Sequence, residues 1–173
     1  MNIKHTGTKF LKEYAQHLKA LPKGDKYTRF GSSVNDYAID KLILSMLYSP
    51  ESHHLFAAKN GRTIVGFAHL CCDHGTTWEL AVSVDSDQQG KGVGNKLMAA
   101  AIEWAKSNGV QSMFMHCINE NKKIQHLARK HNLTVVEKEG GEITSKIILP
   151  IVTNTIISSI KQAFKRIANS LSI

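Results

Sequence analysis

A chain of 173 residues with 42 % hydrophobic residues and only 3 prolines can bury one good core but is too short for two ordinary domains, and that much apolar surface excludes a disordered chain. No apolar run approaches the roughly 20 residues that cross a bilayer, and the lysines of residues 1–10 have no apolar stretch behind them, so no integral membrane association is expected and the cytoplasm is the expected location. The net charge of +8 suits nucleic acid, an acidic substrate or an anionic cofactor, but the lysines are dispersed and no helix-turn-helix, zinc-finger or RNA-binding signature is present, so nucleic acid is not the expected partner.

In chain order, Leu11, Tyr14, Ala15, Leu18 and Leu21 recur at three- and four-residue spacings and predict a helix over 8–21, ended by Pro22-Lys23-Gly24. Ala38, Leu42, Ile43, Met46 and Leu47 predict a second helix over 35–48, capped by Asn35 or Asp36 and stopped by Ser49-Pro50. Two apolar runs, 54–58 and 63–70, flank Asn60-Gly61; both turn residues tolerate positive φ, so the pair reads as a β-hairpin. Residues 78–84 predict a further strand. Beyond it lies the glycine-rich run Gln89-Gly90-Lys91-Gly92-Val93-Gly94. A strong helix follows over 95–107, carried by Leu97, Met98, Ala101, Ile102 and Ala105 and closed by Asn108-Gly109. Residues 110–117 predict a strand, 121–131 a helix, and 134–138 with 143–149 a hairpin about Gly140-Gly141. In the tail, Ile156, Ile160, Phe164, Ile167 and Leu171 line one side of an amphipathic helix, opposed by Lys161, Lys165 and Arg166. Such a helix would pack on the domain of residues 1–150 or on a second copy, making a homodimer.

Strand, glycine-rich turn and helix in that order hold phosphate well. Glycines let main-chain N–H groups approach an anion, and the helix N-terminus adds unpaired donors and its dipole. The spacing does not suit a dinucleotide fingerprint, because Asn95 falls where a third glycine is needed, and no P-loop is present.

The pattern Gln/Arg-x-x-Gly-x-Gly/Ala, met by Gln89, Gly92 and Gly94 behind the strand Trp78-Glu79-Leu80-Ala81-Val82-Ser83-Val84-Asp85, resembles the acyl-CoA signature of the GNAT superfamily of N-acyltransferases. The resemblance extends over about 1–149. It implies a single α/β (α+β) domain with a central mixed, mostly antiparallel sheet of about six or seven strands and helices on both faces. It further implies acetyl-CoA as acyl donor and a primary amine as acceptor. A bulge would splay the central strand, near Val82–Val84, from the next strand around Met113–His116. The pantetheine arm would lie there against Val82, Ser83 and Val84. Residues Gln89, Gly90, Lys91, Gly92, Val93, Gly94 and Asn95 would hold the pyrophosphate, with charge from Lys91 and Lys96.

The family's second signature places Asn121 in its usual position, with Asn132-Leu133 where Gly-Phe is common and Ala128 where a tyrosine protonates the departing thiolate. Water, His126 or Cys117 could stand in for that tyrosine. A base is also needed, because an amine is protonated at neutral pH. Glu79 is the first candidate, with His116 and His69 in reserve. Cys71-Cys72-Asp73-His74 does not read as a metal site, because adjacent strand residues point to opposite faces. No metal is expected, and the 3 cysteines read as reduced thiols. A non-catalytic acyl-CoA-binding sensor is the alternative. The acceptor is expected against 23–36, the loop 72–77, the Gly140-Gly141 turn and the tail.

Overall fold

The computed structural model describes residues 1–72 and 77–150. The expected tail helix, and the loop between Cys72 and Thr77, lie outside the described residues.

Seven strands form one sheet in the order β1-β2-β3-β4-β5-β7-β6. They are β1 (Asn2–Gly7), β2 (His53–Asn60), β3 (Thr63–Cys72), β4 (Thr77–Val84), β5 (Ser112–Ile118), β6 (Thr134–Glu139) and β7 (Glu142–Ile148). Among the described residues there are five α-helices, α1 (Leu11–Ala20), α2 (Lys23–Phe30), α3 (Asp36–Tyr48), α4 (Val93–Ser107) and α5 (Lys122–Lys130). Every pairing is antiparallel except that of β4 with β5, so the expected mixed, mostly antiparallel sheet is present.

The sheet buries both faces. Leu70, Leu80 and Met113 pack against Leu97, Met98 and Ala101 of α4 and Ala128 of α5. On the other face Leu55, Ala57 and Phe67 pack against Tyr14 and Leu18 of α1 and Ile39 and Met46 of α3. The three- and four-residue spacing of these helices explains the arrangement, since it aligns their apolar side chains into one stripe. Asn35 caps α3 by accepting from the Ala38 N–H at 2.9 Å. Gly66 lets β3 and β4 approach closely, because a Cβ there would stand 2.8 Å from the Ser83 carbonyl oxygen.

Two elements depart from the reading of the sequence. The first predicted helix begins at Leu11, and β1 precedes it. Pro22-Lys23-Gly24 does end α1, but α2 starts at once from Lys23. Neither element carries an apolar stripe: α2 has no buried residue, and β1 buries only Thr6.

Candidate active site

β4 and β5 pair over only three residues each, Thr77↔Ser112, Trp78↔Met113 and Glu79↔Phe114. Beyond Glu79 the strands part, while β5 keeps its pairing with β7 as far as Ile118↔Glu142. The expected gap is therefore present, but it is not made by a bulge against β3. That register runs unshifted from Gly66↔Val84 to Cys72↔Trp78. The split opens a cleft of about 1070 Å³, lined on one side by residues of β4 that include Val82, Ser83 and Val84, and on the other by Met115, His116 and Cys117.

The glycine-rich loop closes one end of this cleft, with Gln89, Gly90, Gly92, Val93, Gly94 and Asn95 in its wall. Gly90 has φ +74° and Gly92 φ +79°, a left-handed backbone that costs other residues about 1–2 kcal/mol. Gly92 is the N-cap of α4. No side chain caps this terminus, and its first turn holds no acidic residue. Its N–H donors and positive dipole end are thus left for an anion. Gln89 is held on three sides: its Nε2 donates to Asp25 Oδ2 at 3.1 Å and to the Val84 carbonyl at 3.3 Å, and its Oε1 accepts from Lys123 Nζ at 3.0 Å.

The side chains of Lys91 and Lys96 are exposed, and the described cleft wall draws its lysines from Lys122, Lys123 and Lys130 instead. All three come from α5, and the motif-centred reading did not single them out. Asn121 caps α5, its Oδ1 accepting from the Ile124 N–H at 3.1 Å, and it also lines the cleft. Asn132 adopts φ +62°. It therefore takes the left-handed turn after α5 for which a glycine is the usual choice.

A second cavity, of about 420 Å³, lies on the α1–α3 face and is lined by Glu79, His69, Cys71, Phe30, Gly31 and Glu142, among others. Thr28, Arg29, Ala81, His116 and Cys117 belong to the walls of both cavities. The two spaces thus meet where β4 leaves β5. Glu79 and His116 share a sheet face, since Glu79 stands opposite Phe114 and His116 is two residues further along β5.

His116 is exposed, and its Nδ1 lies 2.9 Å from Thr144 Oγ1. His69 is 5 % exposed and its Nε2 lies 3.0 Å from His53 Nδ1. Burial holds the His69 imidazole well below its ordinary range, with the charge of Arg29 acting in the same direction. Burial pushes the Cys117 thiol up, so it stays protonated near neutrality. Ala128 is 3 % exposed and part of the core. His126 is exposed on the rim of the larger cleft.

Sequence reading missed a buried polar chain beside the cleft. His17 Nε2 lies 2.9 Å from Ser83 Oγ, and His17 Nδ1 lies 3.0 Å from Asp85 Oδ1. The connectivity is that of a serine nucleophile with its base and orienting carboxylate. Ser83 is nevertheless four residues, about 13 Å of extended strand, from Glu79. The three residues instead tie α1 to the end of β4.

A family model described as "Acetyltransferase (GNAT) family" matches residues 11–133. The uncharacterized N-acetyltransferase YobR of Bacillus subtilis (strain 168) is 28 % identical over 99 residues, covering 48 % of this chain and 39 % of that protein. The chain thus spans about two fifths of the length of that relative. Among solved structures, a ribosomal-protein-alanine N-acetyltransferase from Brucella melitensis superposes with a TM-score of 0.64 at 18 % identity, over 86 % of this chain and 100 % of the other. The PaiA N-acetyltransferase from Thermoplasma acidophilum, in complex with coenzyme A, superposes with a TM-score of 0.66 at 16 % identity, over 86 % and 99 %. At these identities the likeness is one of fold.

Proposed function

Since the chain belongs to the acetyltransferase (GNAT) family, we propose that it moves an acetyl group from acetyl-CoA to a primary amine by direct transfer in a ternary complex. The observation that carries this reading is the junction of the two cavities, with the glycine-rich loop in one and Glu79 in the other.

Acetyl-CoA would occupy the larger cleft. Its pyrophosphate would meet the N–H groups at the start of α4, and its pantetheine arm would pair with the edge of β4 beyond Glu79, as an added strand does. The amine would enter from the smaller cavity. Glu79 takes the proton of the ammonium, directly or through water, and the freed nitrogen attacks the thioester carbonyl carbon. The carbon–sulfur bond then breaks and the coenzyme leaves as a thiolate, while the nitrogen, on becoming the amide, gives up its second proton, which the thiolate takes up.

The buried Ala128 supplies no proton to that thiolate. A positioned general acid contributes about 10²–10⁴-fold, and a thiolate leaves tolerably without one. Of the two candidate side chains, Cys117 lines both cavities and His126 the larger one alone.

Ala128 also favours a second reading, a domain that binds acyl-CoA without turnover. Titration calorimetry with acetyl-CoA, followed by thiol detection of CoA released across a panel of amines, separates the two. Saturable binding with amine-dependent, multiple-turnover release is the expected result. Binding without turnover selects the sensor, and no binding rejects both.

A further inference from the structure

We propose that His53, His69 and Cys71 form a binding site for a borderline-soft divalent metal ion of the zinc class, on the wall of the smaller cavity. Strand pairing assembles it. His53 of β2 stands directly opposite Cys71 of β3, and His69 lies two residues before Cys71, so all three side chains leave the same sheet face. Their ligand atoms all lie within 4.8 Å of one another. Alternation along β3 sends the neighbouring Cys72 to the other face. The partner of Cys71 comes from across the sheet.

The distances suit one small ion. His53 Nδ1 and His69 Nε2 are 3.0 Å apart, whereas two imidazole nitrogens bound tetrahedrally to zinc at about 2.0–2.1 Å are roughly 3.3–3.4 Å apart. The rings need to open by only a few tenths of an ångström. A thiolate on the same ion lies about 3.5 Å from each nitrogen, so with these atoms within 4.8 Å of one another Cys71 has at most about 1.3 Å to close, within the reach of a χ1 adjustment. Two imidazoles and one thiolate select zinc or cobalt over magnesium or calcium, which prefer oxygen. His53 and His69 are 8 % and 5 % exposed, so their positions are set by packing.

The fourth tetrahedral position has somewhere to face, because His69 and Cys71 both line the cavity. Glu79 stands directly opposite Cys71 on the next strand, so the row His53–Cys71–Glu79 crosses three strands and brings the ion beside the proposed base. The Arg29 guanidinium, in the same cavity wall, opposes a cation there, and the Cys71 thiolate and Glu79 offset it. An ion held here obstructs the amine end and leaves the acetyl-CoA cleft untouched. That consequence rests on the transfer reading, whereas metal binding itself does not.

The test is titration of the metal-stripped protein with Co²⁺ under reducing, anaerobic conditions. The expected result is a single equivalent bound, with a thiolate-to-cobalt charge-transfer band and tetrahedral d–d bands, all displaced by Zn²⁺. Cys71→Ser should abolish the charge-transfer band, and Cys117→Ser should leave it. His53→Gln and His69→Gln should each weaken Co²⁺ binding by at least the roughly 10–100-fold that loss of an outer-shell partner costs. Circular dichroism and acetyl-CoA titration verify that each variant is folded, and the histidine variants carry the test if Cys71→Ser does not fold. Absence of a thiolate–cobalt band in the unsubstituted protein, or a band that survives Cys71→Ser, overturns the site. In turnover assays Zn²⁺ should suppress amine-dependent CoA release with acetyl-CoA affinity unchanged. Loss of acetyl-CoA affinity would place the ion elsewhere.

Discussion

Asp25 on α2 accepts a hydrogen bond from Gln89 Nε2 at 3.1 Å, so a helix with no buried residue holds the first residue of the glycine-rich motif. The same carboxylate oxygen accepts from Ser86 Oγ at 2.6 Å. The loop that would meet the pyrophosphate is thereby fastened to α2 from below and, through Lys123, to α5.

Gln89→Ala removes the hydrogen bonds of Gln89 to Asp25, to the Val84 carbonyl and to Lys123, each worth about 1 kcal/mol when part-exposed. Acetyl-CoA affinity measured by calorimetry should fall by roughly fivefold or more. Asp25→Ala should cost less, since it also removes a negative charge from the wall of the cleft proposed to hold the pyrophosphate.

Gly92→Ala forces a side chain into a left-handed backbone at φ +79°, costing about 1–2 kcal/mol. The melting temperature should drop, and acetyl-CoA affinity with it, as the N-cap of α4 shifts. Gly94→Ala should be milder for folding, because a Cβ there meets Leu127 Cδ2 at 3.4 Å and nothing nearer.

Glu79→Gln keeps the shape of the side chain and loses the carboxylate proposed as the base. Turnover at neutral pH should fall by about 10²–10⁴-fold and recover in part at higher pH, where more amine is deprotonated. Acetyl-CoA affinity should not change. A pH–rate profile identical to that of the unsubstituted enzyme removes Glu79 from the mechanism.

Burial lowers the His17 pKa from its ordinary value, opposed by Asp85 and assisted by Arg29. A depressed value in the folded state means that the unfolded chain takes up the proton first. The stability contributed by neutral His17 is therefore complete above about pH 6.5 and is lost as the pH falls from there toward the folded-state value. Thermal melts between pH 8 and pH 5 should show Tm falling with pH. In His17→Gln, which cannot titrate, that fall should be shallower, with a lower Tm at pH 8 from the weakened ties to Ser83 and Asp85.

The α4 helix, the Asn60-Gly61 hairpin and the closing hairpin were legible because each is specified locally, by periodicity or by a turn residue. β1 and α2 were not, because a strand that buries only Thr6 and a helix with no fully buried residue leave no apolar period to read. Both are held by what they pair with: β1 by the β2 ladder, α2 by Ser86 and Gln89.

What the chain determined on its own was the glycine-rich loop between strand and helix, since left-handed φ at Gly90 and Gly92 and an uncapped helix N-terminus are properties of adjacent residues. Only the tertiary structure decided what surrounds that loop. The early end of β4–β5 pairing opens the cleft, and the register of β2, β3 and β4 places His53, Cys71 and Glu79 in one row. The physical reason is range. Strand register and the His17–Ser83 and Asp25–Gln89 contacts join residues far apart in the chain, and register is fixed by burial of a sheet face rather than by neighbouring residues.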